Sequence, residues 1–406
     1  MRKLLSRLKN SIISNPDSVY GLLLRGYSPF RYAKKYNKPI YFQSSNNNKG
    51  KALLSYIIEP FRAGSQEQAL NTHANYWATW EIVRILNEMG YDVDVIEASN
   101  IQFIPQSNYS LVIGTLDCLD RFAPYLKNET IKIFYALGVY VDLRNGPGGE
   151  LGRIQALENR RNCYYTPKRL FRDPEMIRRS VDVADTVIIS GGKTTIESFP
   201  PKVRAKSIVC TIPVEDNTLY KKRDEDLIPQ EREFVWFFGY GQVHKGLDLV
   251  IEVFIKLQGM TLNIIGAMEQ DFYLAYEYEL NELENIHFHG FLNTKGEHFK
   301  KIMDRSFCFI APSVNEGISP ACISMMKTGL FPIISKGTGI DLPEGLGLTL
   351  EHDTINCIHR SIETVYSFSD EALSKQISKL RQFSMNQYSA VAFTHQFTRA
   401  VKKAIE

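Results

Sequence analysis

Strand-length apolar runs alternate with helix-length amphipathic stretches along this chain, twice over, with a charged break between the two series. No other feature constrains the fold as much. ALLSYII (52–58), YDVDVIEA (91–98), SLVIGT (110–115), IKIFYALG (131–138), TVIIS (186–190) and AKSIVCTI (205–212) read as strands. Between them Tyr76–Met89 reads as a helix, with Trp77, Trp80, Val83 and Leu86 near helical spacing and Gly90 as its stop. A second helix falls around Pro174–Val183. Residues 214–232 are charged and lack an apolar period, so they read as a linker. The alternation then restarts with EFVWFFG (233–239), a helix at Gly246–Leu257, MTLNIIGA (260–267), and a helix around Asp271–Glu284. IHFHGFL (286–292), a helix near Gly296–Met303, SFCFIAPS (306–313), a short helix at Ser319–Thr328 and LFPIIS (330–335) follow. Further helices occupy 370–404. This order predicts an α/β protein with two Rossmann-like domains facing a central cleft, ligands lying beyond the carboxyl ends of the strands. The expected divisions are a basic extension (1–50), an N-terminal domain (51–213), the linker, a C-terminal domain (233–375), and helices packing back toward the N-terminal domain (376–406).

Composition agrees with that reading. A chain of 406 residues is long for one core, and 44% hydrophobic with 23% charged residues is ordinary for a globular protein. No run approaches the roughly 20 apolar residues of a membrane-spanning helix. The opening MRKLLSRLKNSII lacks the sustained apolar core and small-residue cleavage site of a signal peptide. Six scattered cysteines without a C-x-x-C pair suggest reduced thiols and a cytoplasmic setting. The eight histidines show no metal-ligand spacing, so no metal site is expected. Residues 1–51 carry eleven Lys/Arg against the single acid Asp17, which leaves 37 basic and 44 acidic residues for the rest. With Leu4, Leu5, Leu8, Ile12 and Ile13 on one side of a short helix, residues 1–38 suit the anionic inner face of a membrane as a partner. The alternative is an extension that packs on its own domain. No basic stripe interleaved with aromatics points to nucleic acid.

Two stretches carry chemistry. In FFGYGQVHKGLDLVIEVF (237–254) a strand ends in Gly239-Tyr240-Gly241, and Lys245 precedes Gly246 and a helix. Glycines after a strand let backbone approach a ligand, and a lysine at a helix start adds a full charge to exposed N–H groups. Together they predict a phosphate cradle; the alternative is a solvated lysine on a turn. In SFCFIAPSVNEGISPACISMMKTGLFPIIS (306–335) a strand delivers the loop Pro312–Gly317, Ser319 and Pro320 suit the N-cap and first turn of a helix, and Gly329 ends it. Glu316 just ahead is either a charge stabilising the helix terminus or a carboxylate for sugar hydroxyls.

These two stretches, with IHFHGFL between them, resemble the donor domain of retaining GT-B glycosyltransferases, family 4 in particular. HKGLDL is similar to that family's strand–loop–Lys-Gly–helix element, and PSVNEGISPACISMMKTGLFPIIS to the element bearing its Glu-x7-Glu motif. THANYWATWEIVRILNEMGYDVDVIEAS is similar to the first helix–strand pair of bacterial members that build surface polysaccharides. The resemblance covers roughly residues 50–365. It implies a nucleotide-diphosphate sugar as donor substrate, no other cofactor, a glycan or lipid-linked acceptor on the N-terminal domain, and retention without a metal. Lys245 would then hold the diphosphate and Glu316 the sugar hydroxyls. Backbone around Gly317, Ile318 and Ser319 would touch sugar or phosphate, and Gly290, Phe291 and Leu292 would border the base. His244 would lie beside the phosphates. The family's second glutamate falls on Ser324, and the arginine that accompanies its lysine falls on Tyr240. A serine holds a ribose hydroxyl more weakly than a carboxylate, and tyrosine offers phosphate no bidentate fork.

Transfer from such a donor builds charge on the leaving phosphate, so fixed cations are the main catalytic resource. Asp117 and Asp120 in GTLDCLD form an imperfect candidate metal pair. On the acceptor side His73 at the first helix is a candidate catalytic residue, and Gly64-Ser65 after the first strand a candidate phosphate lining. Tyr140, Asp142 and Arg144 follow the strand IKIFYALG, and Arg144, Arg153, Arg160 and Arg161 form a basic run suited to a lipid-diphosphate. His287 and His289 alternate on a strand and read as one packed residue and one near the base loop. The competing classes are a non-catalytic GT-B protein binding a nucleotide-sugar or a partner, and a nucleotide-sugar epimerase.

Overall fold

A computed structural model of the chain describes residues 38–46, 48–62, 74–214 and 220–406. The basic extension before residue 38, and with it the interfacial-helix expectation, lies outside the described residues, as do Gly64, Ser65 and His73.

In chain order the N-terminal half comprises β1 (Ile40–Phe42), β2 (Gly50–Tyr56), α1 (Ala74–Glu88), β3 (Tyr91–Glu97), β4 (Leu111–Gly114), α2 (Cys118–Phe122) and β5 (Ile131–Ala136). It continues with α3 (Val141–Asn145), α4 (Glu150–Arg161), α5 (Pro174–Val183), β6 (Thr186–Ile189), α6 (Lys193–Glu197), α7 (Pro201–Arg204) and β7 (Ser207–Val209). The C-terminal half holds β8 (Glu233–Phe237), α8 (Leu247–Phe254), β9 (Leu262–Ile265), α9 (Gln270–Ala275), α10 (Glu277–Glu282), β10 (Ile286–Gly290), α11 (Glu297–Arg305) and β11 (Ser306–Ala311). Then come α12 (Pro320–Thr328), β12 (Phe331–Ser335), β13 (Leu348–Leu350), α13 (Ile355–Tyr366), α14 (Asp370–Gln387) and α15 (Ala390–Ile405).

The strands form two sheets, of order β1-β3-β2-β4-β5-β6-β7 and β10-β9-β8-β11-β12-β13. All pairings are parallel except β1 with β3. Parallel strands covered on both faces must be apolar throughout, and Phe234, Val235 and Trp236 of β8 are indeed inaccessible to solvent. In the second sheet the order turns between β8 and β11, so the loops after these two strands diverge at one point and leave a crevice. Those loops are the two chemistry-bearing stretches.

Several elements escaped the sequence reading. β1 is a short antiparallel edge, with Ile40 opposite Val95. Residues 271–284 form two short helices rather than one, α9 and α10, meeting at Tyr276, whose ring stacks on Phe272 at 4.9 Å. The arginine-rich region holds α4, whose Ile154 and Leu157 lie with Tyr165 in the hydrophobic core of the C-terminal half. That stretch of the N-terminal half therefore reaches across the cleft. In the other direction α15 buries Phe393, Phe397, Ala400 and Val401 in the N-terminal core. No described helix is long and apolar enough to cross a membrane.

Candidate functional site

Gly246 sits in the left-handed region at φ 74°, and a Cβ there would stand 2.4 Å from the Pro312 carbonyl oxygen. Only glycine fits, and the tight turn it permits lays the first chemical stretch against the second. The turn also corrects one expectation. The N–H groups of Lys245, Gly246 and Leu247 do not face the cleft; they donate to the carbonyls of Gly241 (2.8 Å), Val243 (3.1 Å) and Gln242 (2.9 Å). What the element offers a ligand is therefore its side chains.

Lys245 is 8% exposed, and its Nζ is ion-paired with Glu316 Oε2. The other oxygen, Oε1, is enclosed and has no partner. Burial pulls the Lys245 pKa down; the nearby Arg169 and Arg144 act in the same direction and Glu316 opposes them. His244 beside it is held well below the ordinary histidine value, chiefly by burial and then by Arg144, Lys245 and Arg169. The imidazole is therefore neutral, and its Nδ1 is buried without a partner.

Across the cleft Arg144 Nη1 donates to the Asn315 carbonyl oxygen and to Asn315 Oδ1, each at 3.0 Å, and lies 3.3 Å from His244 Nε2. Its Nε, the Asn315 amide nitrogen, and the hydroxyls of Ser190, Ser313 and Ser319 are likewise enclosed and unpartnered. Ser319 occupies the N-cap of α12, yet its hydroxyl makes no capping bond. Buried polar groups are nearly always satisfied, so orphans gathered along one crevice mark where a polar ligand belongs. In front of Gly239 and of Gly290 there is room: no atom lies within 4 Å of a Cβ built at either.

The two domains meet at this crevice. A Cβ on Gly317 would stand 2.5 Å from the Leu137 carbonyl oxygen and 2.6 Å from that of Ser190. Thr195 Oγ1 donates to the Glu316 carbonyl oxygen at 3.1 Å, the Gly192 N–H to that of Gly339 at 2.8 Å, and the Lys193 N–H to Asp341 Oδ2 at 2.9 Å. Glu316 thus projects from a loop seated on the N-terminal domain.

The other candidates are placed as follows. Tyr240 is partly exposed, and its carbonyl accepts from Arg169 Nη2 at 2.7 Å; Gly241 donates its N–H to Glu269 at 2.8 Å. Ser324 donates to the Pro320 carbonyl at 3.0 Å, so its hydroxyl is engaged within α12. Ile318 and Leu292 are half-buried against the core, and Phe291 is exposed. His289 contacts Asn263 Oδ1 at 2.8 Å, and burial brings it to about 4; His287 is exposed. Tyr140 is packed on Phe199 with ring centroids 5.3 Å apart, and Asp142 pairs with Arg178 on the surface. Neither borders the crevice cluster. Asp117 and Asp120 pair with Arg121 and Arg179. Among the described residues no group of three or more His, Cys, Asp or Glu side chains is placed to hold a metal ion.

The basic run expected at the acceptor divides. Arg153 pairs with Asp353, Arg160 with Asp248 and Glu252, and Arg161 with Glu252 and Glu279, all carboxylates of the C-terminal domain. Of the four, Arg144 reaches the crevice cluster on the donor-loop side, and Arg153 Nη1 donates to the Pro312 carbonyl oxygen of the same loop at 3.3 Å. Reading the sequence alone missed Asn315, Thr195, Arg169 and Glu269. Asn315 stood in the quoted loop, while the others carry no local signal.

Two Rossmann-like domains with a polar crevice at the second sheet's turning point give the GT-B fold. Residues 220–341 match the family described as Glycosyl transferases group 1. Among solved structures, sucrose-phosphate synthase from Thermosynechococcus elongatus aligns at TM-score 0.60 and 15% identity, over 88% of this chain and 99% of that one. HepE of Anabaena, solved in complex with UDP and glucose, aligns at 0.55 and 13%, over 88% and 100%. TarM aligns at 0.51 and 13%, over 73% of this chain, which spans about half (54%) of the TarM chain. At such identities the likeness establishes the fold. No curated protein matches the chain.

Proposed function

We propose that the protein transfers a sugar, with retention and without a metal, from a nucleotide-diphosphate sugar to a glycan or lipid-linked acceptor in bacterial surface-polysaccharide assembly. The observation that carries this is the buried Lys245–Glu316 pair amid unpartnered polar atoms in the interdomain crevice. In the reaction the bond from the anomeric carbon to the diphosphate oxygen breaks. A bond from the acceptor hydroxyl oxygen forms on the same face of the sugar, and the hydroxyl proton passes to the departing phosphate. Lys245 neutralises the charge growing on that leaving oxygen, worth about 10²–10³ in rate for a well-placed donor group. Glu316, exchanging its ammonium partner for sugar hydroxyls, orients the sugar. The neutral His244 offers a hydrogen bond without competing as a second cation.

The test is a thermal-shift panel of UDP-, GDP- and ADP-sugars, then release of nucleoside diphosphate with and without candidate acceptors. Acceptor-dependent release is expected. Binding without release under any acceptor would favour a non-catalytic GT-B protein, a reading to which the engaged hydroxyl of Ser324 lends weight. Interconversion of the nucleotide-sugar without acceptor would favour an epimerase. The membrane-surface role of the basic N-terminus is proposed alongside. Deleting residues 1–15 should lower sedimentation with anionic vesicles, and unchanged partitioning would remove that role.

A further inference from the structure

The chain between α3 and α5 leaves its own sheet and crosses the cleft as an arm. Six arginines belong to this arm and its ends: Arg144, Arg153, Arg160, Arg161, Arg169 and the exposed Arg172. Three of them are matched with carboxylates of the C-terminal domain, as described above, and Arg161 also covers the Tyr276 ring at 4.3 Å. Arg144 and Arg169 are not matched: neither has a carboxylate within ion-pair distance among the described residues. These two are also the ones that stand at the phosphate element. Arg169 donates from Nη2 to the Tyr240 carbonyl at 2.7 Å, and its Nε would lie 3.0 Å from a Cβ on Gly241. Arg144 faces Asn315 and His244.

The acids nearby are already occupied. Glu150 accepts the backbone N–H groups of Lys168 (3.3 Å) and Arg169 (2.8 Å). Glu269 accepts the Gly241 N–H and the Tyr165 hydroxyl, and Glu316 holds Lys245. Two guanidinium groups are thus brought beside a buried lysine, with their remaining donors left over. An uncompensated cation beside a buried lysine is unfavourable unless an anion joins it. A guanidinium fork fits two non-bridging phosphate oxygens, which the side chain of Tyr240 at the neighbouring position does not.

We infer that Arg144 and Arg169, carried across the cleft by the arm of the N-terminal domain, complete with Lys245 a three-cation binding site for the donor's diphosphate. The inference rests on the functional reading above and deepens it.

Calorimetric titration of the full chain with inorganic pyrophosphate, UDP and GDP tests this. Arg144→Gln and Arg169→Gln are each expected to weaken pyrophosphate and diphosphate binding about tenfold or more, while uridine and guanosine change by less than about twofold. Arg144→Lys, which keeps the charge and loses the fork, should fall between. Arg161→Gln, which loosens the arm's packing and touches no phosphate position, should stay within about twofold of the parent. Should Lys245→Ala lose pyrophosphate while both arginine variants bind like the parent, the three-cation site is wrong and the transferase reading stands. Equal losses in Arg161→Gln and Arg144→Gln would reduce the arginines to a packing role and overturn the inference. If the unaltered protein binds neither pyrophosphate nor either nucleotide, the functional reading fails and the inference with it.

Discussion

Two clusters of charge bridge the domains of this protein, and they differ in how completely they are paired. In the first, Arg160 and Arg161 on α4 meet Asp248, Glu252 and Glu279, with bonds of 2.6–3.1 Å and the Tyr276 hydroxyl as a further partner of Glu252. In the second, Lys245, Glu316, Arg144, His244 and Asn315 share few bonds and leave an enclosed polar atom without a partner on every member but Lys245. In the first cluster Asp248 Oδ1, 4.0 Å from Arg153 Nη1, is the one enclosed atom without a hydrogen bond, and the remaining pairs fix geometry. The second holds capacity in reserve, which in a low-dielectric crevice is tolerable only if a ligand takes it up. The contrast teaches that abundance of arginine does not locate a binding site; incomplete pairing does.

Breaking each cluster should give opposite signatures. The largest effect is expected for Asp248→Ala in the paired cluster. Removing a fully buried carboxylate leaves Arg160 and Arg153 undercompensated, and urea unfolding should show a loss of about 3 kcal/mol. Diphosphate affinity of the folded protein should move by less than about threefold. A larger drop in affinity than in stability would mean the two clusters are not separable. Lys245→Ala in the unpaired cluster should do the reverse. Turnover falls by about 10²–10³ and nucleoside diphosphate binding weakens far more than nucleoside binding. Equal losses for diphosphate and nucleoside would contradict the phosphate role of the ammonium group.

The smallest effects come from titration, and they differ in sign between clusters. Asp353, the partner of Arg153, is pushed up to about 6 by burial, against Arg153, which lowers it. Its folded form keeps the proton longer than an unfolded aspartate near about 3.9, so its stabilising contribution is present at low pH and is lost as pH rises toward 6. His244 is depressed, so its contribution is present above the unfolded value of about 6.5 and is lost as pH falls below it. Urea midpoints measured across pH 4 to 7.5 should lose the first slope in Asp353→Asn and the second in His244→Gln. A His244→Gln profile that still steepens below 6.5 would show that the imidazole is not the group responsible.

How far the site was legible follows from how local each signal is. The Gly246 turn is written in its own sequence, because its left-handed φ of 74° favours glycine, and Lys245 and Glu316 came with the two strand-to-helix loops. The engagement of the 245–247 amides within that turn was not legible, since it depends on the chain's path rather than on residue type. Arg169 and Arg144 were illegible as a pair: 25 positions separate them, and α4 between them looks like a solvated basic helix. Its apolar positions Ile154 and Leu157 are too few to announce that they enter another domain's core. Tyr140 and Asp142 were expected on the acceptor side from position after a strand, which does not fix which way a side chain turns; the one packs on Phe199 and the other pairs with Arg178.

By itself the amino-acid order determined two α/β units, the two glycine-bounded loops, and the lysine and glutamate those loops carry. Those follow from periodicity and backbone sterics, which act over a few residues. Only the tertiary structure decided which of the arm's arginines stand unmatched at the crevice. Pairing of charges is settled by whichever carboxylates the folded chain brings within reach, and those lie far away in sequence.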